Sequence, residues 1–233
     1  MVKLAENFYR QLVLSITNEI ALLCEAVGVD FYEVAKAANT QPYCRLLRPG
    51  LIGGHLPKDL RLLMAEAEEA GVDMRLGKAA QKLNEHLIRH AIRLVREALR
   101  ECGKSLRRAK VVVLGVSYKP DVKNPHGSRS SELVGELARR CKEVVAYDPF
   151  YTRREMEELG YPAAPTLTEA IRDADCLVIA IGHSAFREMD LRALRPLMAE
   201  KAALVDLSGI IGPGEALRAG FSYRGLGRGR KKP

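Results

Sequence analysis

Through the first hundred residues the apolar positions recur at helical spacing. Leu4, Phe8, Leu12, Ile16, Leu22, Leu23 and Ala26 predict one long helix over residues 3–27, with Gly28 as its stop. Asp30 then caps a second helix over residues 31–38, with Glu33 three residues on. A glycine-containing loop follows. Beyond it the spacing predicts a helix over 60–70, stopped by Gly71, and a second long helix over 77–101, stopped by Gly103. Long amphipathic helices of this kind bury a stripe against each other or against a partner subunit.

At Lys110 the pattern changes. Val111-Val112-Val113-Leu114-Gly115-Val116 is a continuous apolar, β-branched run, suited to a parallel strand buried on both faces. Further strands are predicted at 143–147, 176–181 and 203–207, separated by helical stretches at 130–141, 153–159, 167–174 and onward to Met198. Strand–helix alternation at this spacing implies right-handed crossovers. The fold class is therefore α/β: a helical central domain over residues 1–105, then a Rossmann-like, doubly wound parallel sheet over 106–233.

Composition narrows the function. With 47% apolar and 28% charged residues in 233, the chain has ample material for a core. No run approaches the ~20 apolar residues of a membrane span, and the N-terminus enters an amphipathic pattern, not a signal peptide. The five cysteines (24, 44, 102, 141 and 176) are scattered without metal-ligand spacing, which suits reduced thiols in a cytoplasmic protein and no metal site. The net charge of +8 suits an anionic ligand, although Arg228, Arg230, Lys231 and Lys232 place part of it in a basic end read as solvated. With 6% aromatics and no Trp there is no stacking platform for nucleic acid.

Two regions carry candidate chemistry. The first is Arg48-Pro49-Gly50-Leu51-Ile52-Gly53-Gly54-His55-Leu56-Pro57-Lys58-Asp59. Gly53 and Gly54 let a ligand approach main-chain N–H groups, and Lys58 and Asp59 supply charge or a proton. The alternative is a tight connection with a solvated Lys and an N-capping Asp. The second is the carboxyl edge of the predicted sheet, where open α/β folds bind ligands. It offers Tyr118-Lys119, Tyr147-Asp148, Gly182-His183-Ser184 and Asp206-Leu207-Ser208. After Leu114 only Gly115 appears before Gly127, so the dinucleotide fingerprint Gly-x-Gly-x-x-Gly is absent. Lys119 and the helix start near Ser128–Ser130 suit a nucleotide's phosphates instead. Against that stand a surface lysine and an Asp148 that merely caps the chain before Pro149.

The ordered set Lys3-Leu4-Ala5-Glu6-Asn7, Asn18-Glu19, Ala38-Asn39-Thr40, the glycine loop, Gly115-Val116-Ser117-Tyr118-Lys119-Pro120-Asp121, Tyr147-Asp148-Pro149 and Gly225-Leu226-Gly227-Arg228-Gly229 resembles the UDP-glucose/GDP-mannose dehydrogenase family. It is most similar to the branch acting on UDP-N-acetylmannosamine and UDP-N-acetylglucosamine. The resemblance implies NAD-dependent oxidation of a UDP-sugar to its uronic acid, by way of an aldehyde and a covalent thioester. It implies that Lys3 stabilises oxyanions and that Asn7 and Asp59 position or deprotonate water. Gly53, Gly54, Lys58, Tyr118, Lys119 and Asp148 would bind substrate, and Arg129 would face the cofactor. Two copies would pair through the first helix.

Three departures temper this. The family carries an NAD-binding Rossmann domain before the opening helix, so the chain reads either as a truncated gene product or as one half of a split enzyme whose partner is a separate Rossmann subunit, and alone it is expected to be inactive. The family's loop has a nucleophilic cysteine where His55 here runs directly into Leu56, and Cys44, eleven residues upstream, is a poor substitute. Asn124-Pro125-His126-Gly127-Ser128 replaces the family's Asp-x-Arg-x-Ser, with Arg129 in partial compensation. The rival readings are a non-catalytic UDP-sugar binder and a structural dimerisation module.

Overall fold

The computed structural model describes residues 1–229, and Arg230, Lys231 and Lys232 of the basic end lie outside them. The chain forms two compact units. The first comprises Met1–Arg89 and the segment from Leu226; the second is His90–Gly225. The division between these units falls within a continuous helix, whereas the change of sequence pattern lies near residue 106.

In the first unit, α1 (Val2–Val27) ends at Gly28, whose φ of 77° returns its N–H to the carbonyls of Cys24 and Glu25. Asp30 caps α2 (Phe31–Ala38), accepting the N–H of Tyr32 at 2.8 Å. α3 runs over Leu56–Glu69, four residues earlier than its periodicity implied. Pro57 explains the shift, because its fixed φ suits the first turn, where no N–H is needed. Lys58 and Asp59 therefore stand in a helical first turn and Asp59 is not the cap. α4 (Arg75–Glu101) likewise starts before Gly77. That glycine is a contact residue: a Cβ there would lie 3.0 Å from Met64 Sδ.

Leu226–Gly229 returns to α1 and α2. Phe31 donates its N–H to the Gly227 carbonyl at 2.8 Å, and the Gly227 N–H reaches Glu25 at 2.7 Å. Arg228 pairs with Asp30 at 2.6 Å, lies 3.8 Å from the centre of the Tyr32 ring, and its side chain is only 15% exposed. The expectation of a solvated Arg228 is thus corrected. A Cβ at Gly229 would fall 2.4 Å from Val29 backbone atoms, so the glycines permit the approach.

The second unit is a five-stranded parallel sheet of β1 (Lys110–Leu114), β2 (Glu143–Tyr147), β3 (Cys176–Ile179), β4 (Ala202–Asp206) and β5 (Phe221–Gly225). Their order is β2-β1-β3-β4-β5. Connections run one way from β1 to β2 and the other way from β3 onward, which with right-handed crossovers makes the sheet doubly wound. Between strands lie α5 (Ser130–Ala138), α6 (Arg153–Glu158), α7 (Leu167–Ile171), α8 (Ser184–Arg187), α9 (Leu191–Leu194) and α10 (Pro213–Arg218). The stretch to Met198 is several short turns, broken at Asp190 and Pro196, where one helical run had been expected. β5 and α10 lie beyond the elements that periodicity predicts. Phe221-Ser222-Tyr223-Arg224-Gly225 is short and alternates buried with half-buried positions, as an edge strand does. Val112, Leu114, Leu177, Ile179, Phe186 and Leu204 pack the core, each fully buried.

Candidate functional site

In the first unit, amide side chains fix the glycine loop. Asn18 on α1 brackets Gly50, accepting its N–H at 2.8 Å and donating to its carbonyl at 3.0 Å. Asn84 on α4 does the same for Ile52, at 3.1 and 2.8 Å. Asn39 holds Leu46 with a third such pair, and Thr17 accepts the Leu47 N–H at 3.1 Å. An irregular chain approaching a core must find partners for its N–H and C=O groups, and these side chains supply them. Asn18 and Asn39 belong to the family's motifs, whereas Asn84 is marked in the sequence only as an Asn in a predicted helix interior, where its propensity is poor.

Where the loop enters α3, Asn7 of α1 donates Nδ2–H to Asp59 Oδ2 at 2.6 Å. Asn7 is buried, and Asp59 is half-buried at the solvent edge. Gln11 and Ser15 continue the buried polar line along α1. The bond aims one carboxylate oxygen and leaves the other for a water or hydroxyl, an arrangement able to orient a proton transfer. Lys3, one turn before Asn7, is 77% exposed and paired with Glu6 at 3.2 Å. Gly53 is half-buried, Gly54 adopts a φ of 69°, and Lys58 is exposed. His55 and Leu56 are consecutive in the turn that opens α3, so no thiol stands there.

In the second unit the strands end in register: Leu114 opposite Tyr147 and Ile179, Ile179 opposite Asp206, and Asp206 opposite Gly225. The direction reverses between β1 and β3, and there open sheets form their binding crevice. Asp148, following β2, is fully buried. It accepts N–H groups from Val116 at 2.8 Å and Phe150 at 3.0 Å, and lies 3.1 Å from His183 Nε2. Burial alone would raise its carboxyl; the ring N–H of His183 and the N–H groups of Val116 and Phe150 outweigh that and lower it. Asp148 was expected to bind substrate. Its oxygens are instead committed to its own chain, and it organises the edge.

The N–H of Val116, in the turn after β1, already serves Asp148, and that turn lacks the glycine fingerprint Gly-x-Gly-x-x-Gly. Asp206 shapes the adjacent loop, accepting the N–H groups of Ser208, Gly209 and Ile211 at 2.9, 2.8 and 2.7 Å; burial nonetheless pushes its carboxyl up.

Of the other expected residues, Tyr118 is half-buried and Lys119 is exposed, its ammonium 5.5 Å from the Tyr118 ring. Both sit directly beyond β1, on the crevice. Arg129, at the start of α5, pairs with Glu132 at 2.7 Å. Cys44 is half-buried in the loop between α2 and α3. Among the described residues no group of three or more His, Cys, Asp or Glu is placed to hold a metal ion, and no helix is long and apolar enough to cross a membrane.

Residues 1–86 match the central domain of the UDP-glucose/GDP-mannose dehydrogenase family, and residues 112–213 match its UDP binding domain. The UDP-N-acetyl-D-mannosamine dehydrogenase of Pyrococcus horikoshii is 34% identical over 98% of this chain and 51% of its own length. The UDP-glucose 6-dehydrogenase of Rhizobium meliloti is 30% identical over 98% of this chain and 52% of its own. Among solved structures, the Pyrococcus horikoshii UDP-D-ManNAc dehydrogenase superposes with a TM-score of 0.86 at 32% identity, over 99% of this chain and 52% of that one. The NDP-N-acetyl-D-galactosaminuronic acid dehydrogenase of Methanosarcina mazei superposes with a TM-score of 0.89 at 27% identity, over 98% and 50%. The chain thus spans about half the length of the relatives it matches. It belongs to the UDP-glucose/GDP-mannose dehydrogenase family.

Proposed function

We propose that this chain forms the central and UDP-binding portions of an NAD-dependent UDP-sugar 6-dehydrogenase. The observation that supports the reading is the Asn7–Asp59 bond beside the clamped glycine loop. Lys3 would face oxygen that gains negative charge as a hydride leaves. Asn7 and Asp59 would hold water or take its proton. Gly53, Gly54 and Lys58 would line the sugar, and Tyr118 with Lys119 would receive the diphosphate. Arg129 is the candidate for the cofactor side. NAD+ would serve as the hydride acceptor in the complete enzyme.

Because His55 leads straight into Leu56, the loop offers no thiol for the thioester. Oxidation through this site would stop at aldehyde or reach the acid without a cysteine adduct. The same observation favours a second reading, a UDP-sugar-binding homologue without the oxidative reaction. Val2, Tyr9, Ile16 and Leu23, all exposed and seven residues apart on α1, support pairing of two copies through this helix.

Calorimetric titration with UDP, UDP-N-acetylglucosamine, UDP-N-acetylmannosamine and NAD+ tests the assignment. Micromolar UDP-sugar binding, about −8 kcal/mol, is expected, without NAD+ binding. Absence of binding by all four ligands overturns it, and NAD+ binding alone means the second unit is misassigned. Assaying NAD+ reduction after addition of a Rossmann partner separates the enzymatic reading from the binding one.

A further inference from the structure

His183 has no role in the reading above, yet it is fully buried at the crevice between β1 and β3. Its ring is wedged between Phe150 and Phe186, with centroids 5.0 and 5.4 Å away. Both ring nitrogens are engaged. The backbone N–H of Asp121 donates to Nδ1 at 2.9 Å, so Nδ1 must present a lone pair. The ring proton is then on Nε2, directed at Asp148 Oδ2 at 3.1 Å. The hydrogen-bond pattern thus specifies one neutral tautomer.

Asp121 is itself unusual. It adopts a φ of 57°, left-handed backbone that residues other than glycine rarely enter. Its carboxylate accepts the N–H of Ser184 at 2.8 Å and the hydroxyl of Ser184 at 2.7 Å, which hold it below the usual carboxylate range. Asp121 therefore binds consecutive residues of the β3 edge with its backbone and its side chain. Lys119 lies two residues before it, and the Tyr118 N–H closes the loop from the other side on the Asn124 carbonyl at 3.0 Å.

We propose that His183 is a positioning residue for nucleotide binding: as the Nε2–H tautomer it docks the strained Asp121 turn on the β3 edge and so holds Tyr118 and Lys119 over the crevice. The device joins the ends of all three strands at the direction reversal. Asp148 of β2 orients the ring and gathers the Val116 N–H, and His183 beyond β3 receives the turn that follows β1. Neither residue need touch the ligand.

The inference rests on the reading of Lys119 as a diphosphate contact, and the variants separate the two. UDP affinity is measured by calorimetry on the full chain, with thermal midpoints alongside. Lys119→Ala tests the underlying reading, and unchanged affinity overturns that reading. Asp121→Gly suits the positive φ while removing the side-chain clamp, and Ser184→Ala removes its hydroxyl anchor without entering the core. Loss of the two side-chain bonds to Ser184, partly offset by relief of the positive φ, loosens the docked turn and is expected to weaken UDP about tenfold in Asp121→Gly, with the midpoint little changed. His183→Asn keeps an acceptor near the Nδ1 position, so it is expected to retain more affinity than His183→Leu. Nitrogen-15 spectra of the imidazole are expected to show protonated Nε2 and unprotonated Nδ1 before and after UDP addition. If Lys119→Ala weakens UDP while Asp121→Gly and His183→Leu bind as the parent does, the positioning role is overturned. The Nδ1–H tautomer would overturn it independently, even were the buried variants to fold poorly.

Discussion

Asn7 on α1 and Asp59 on α3 meet at 2.6 Å across 52 residues of sequence. A bond from a buried amide to a carboxylate is charge-assisted and is worth about 1.5–3 kcal/mol where solvent is excluded. Asp59 is half-buried, so the lower end applies. Asn7→Ala and Asp59→Ala are each expected to destabilise the first unit by about 1–2 kcal/mol, with the double variant costing less than the sum. Urea unfolding of the three variants gives the coupling, and strict additivity would mean the residues are merely neighbours.

The Asn84 clamp has a local readout. Asn84→Ala removes both partners of Ile52, whose N–H and C=O are buried, and each stranded group costs about 1–3 kcal/mol. The loop is expected to respond by opening. Exchange of the Ile52 amide with deuterium should then accelerate at least tenfold, while the β1 amides keep parental protection. Uniform acceleration in both units would mean global destabilisation instead.

Two glycines give a controlled comparison of strain with crowding. Gly115 has a φ of 92°, and a Cβ there would lie 2.6 Å from Ile181 Cβ and 3.0 Å from its carbonyl oxygen. Gly71 has a φ of 75° with open space around the Cβ position. Gly71→Ala should cost about 1–2 kcal/mol for backbone strain alone. Gly115→Ala should cost more than twice that, because the turn after β1 must also move. Equal thermal shifts would show that the crevice yields readily.

Acid titration reports the hold on the β2–α6 loop. Glu155 pairs with Lys123 at 2.6 Å and completes the capping box with Thr152, which together bring its carboxyl from 4.5 to about 2. A depressed folded value stabilises above the unfolded one and is lost as pH falls. The contribution of Glu155 is therefore complete above about pH 4.5 and disappears towards pH 2. Glu155→Gln is expected to flatten the pH dependence of stability in that window and leave it unchanged near neutrality. A parallel slope in the variant would contradict the assignment.

Local order along the chain was enough to specify much of this molecule. The helical stripes of α1 and α4, the Asp30 cap, the Gly28 stop and the apolar runs of β1, β3 and β4 each depend on near neighbours, so periodicity and end signals located them. The glycine loop and the family's ordered motifs were legible for the same reason, since each is a contiguous string. Tertiary structure decided whatever rests on partners distant in sequence. Asp148 reads as a strand-end carboxylate open to a ligand until burial beside His183 commits its oxygens. Arg228 reads as a solvated tail until Asp30 and Tyr32 enclose it. Gly77 reads as a helix boundary until Met64 accounts for it. β5, short and half-exposed along an edge, draws its stability from pairing with β4, and a pairing partner leaves no trace in the strand's own residues.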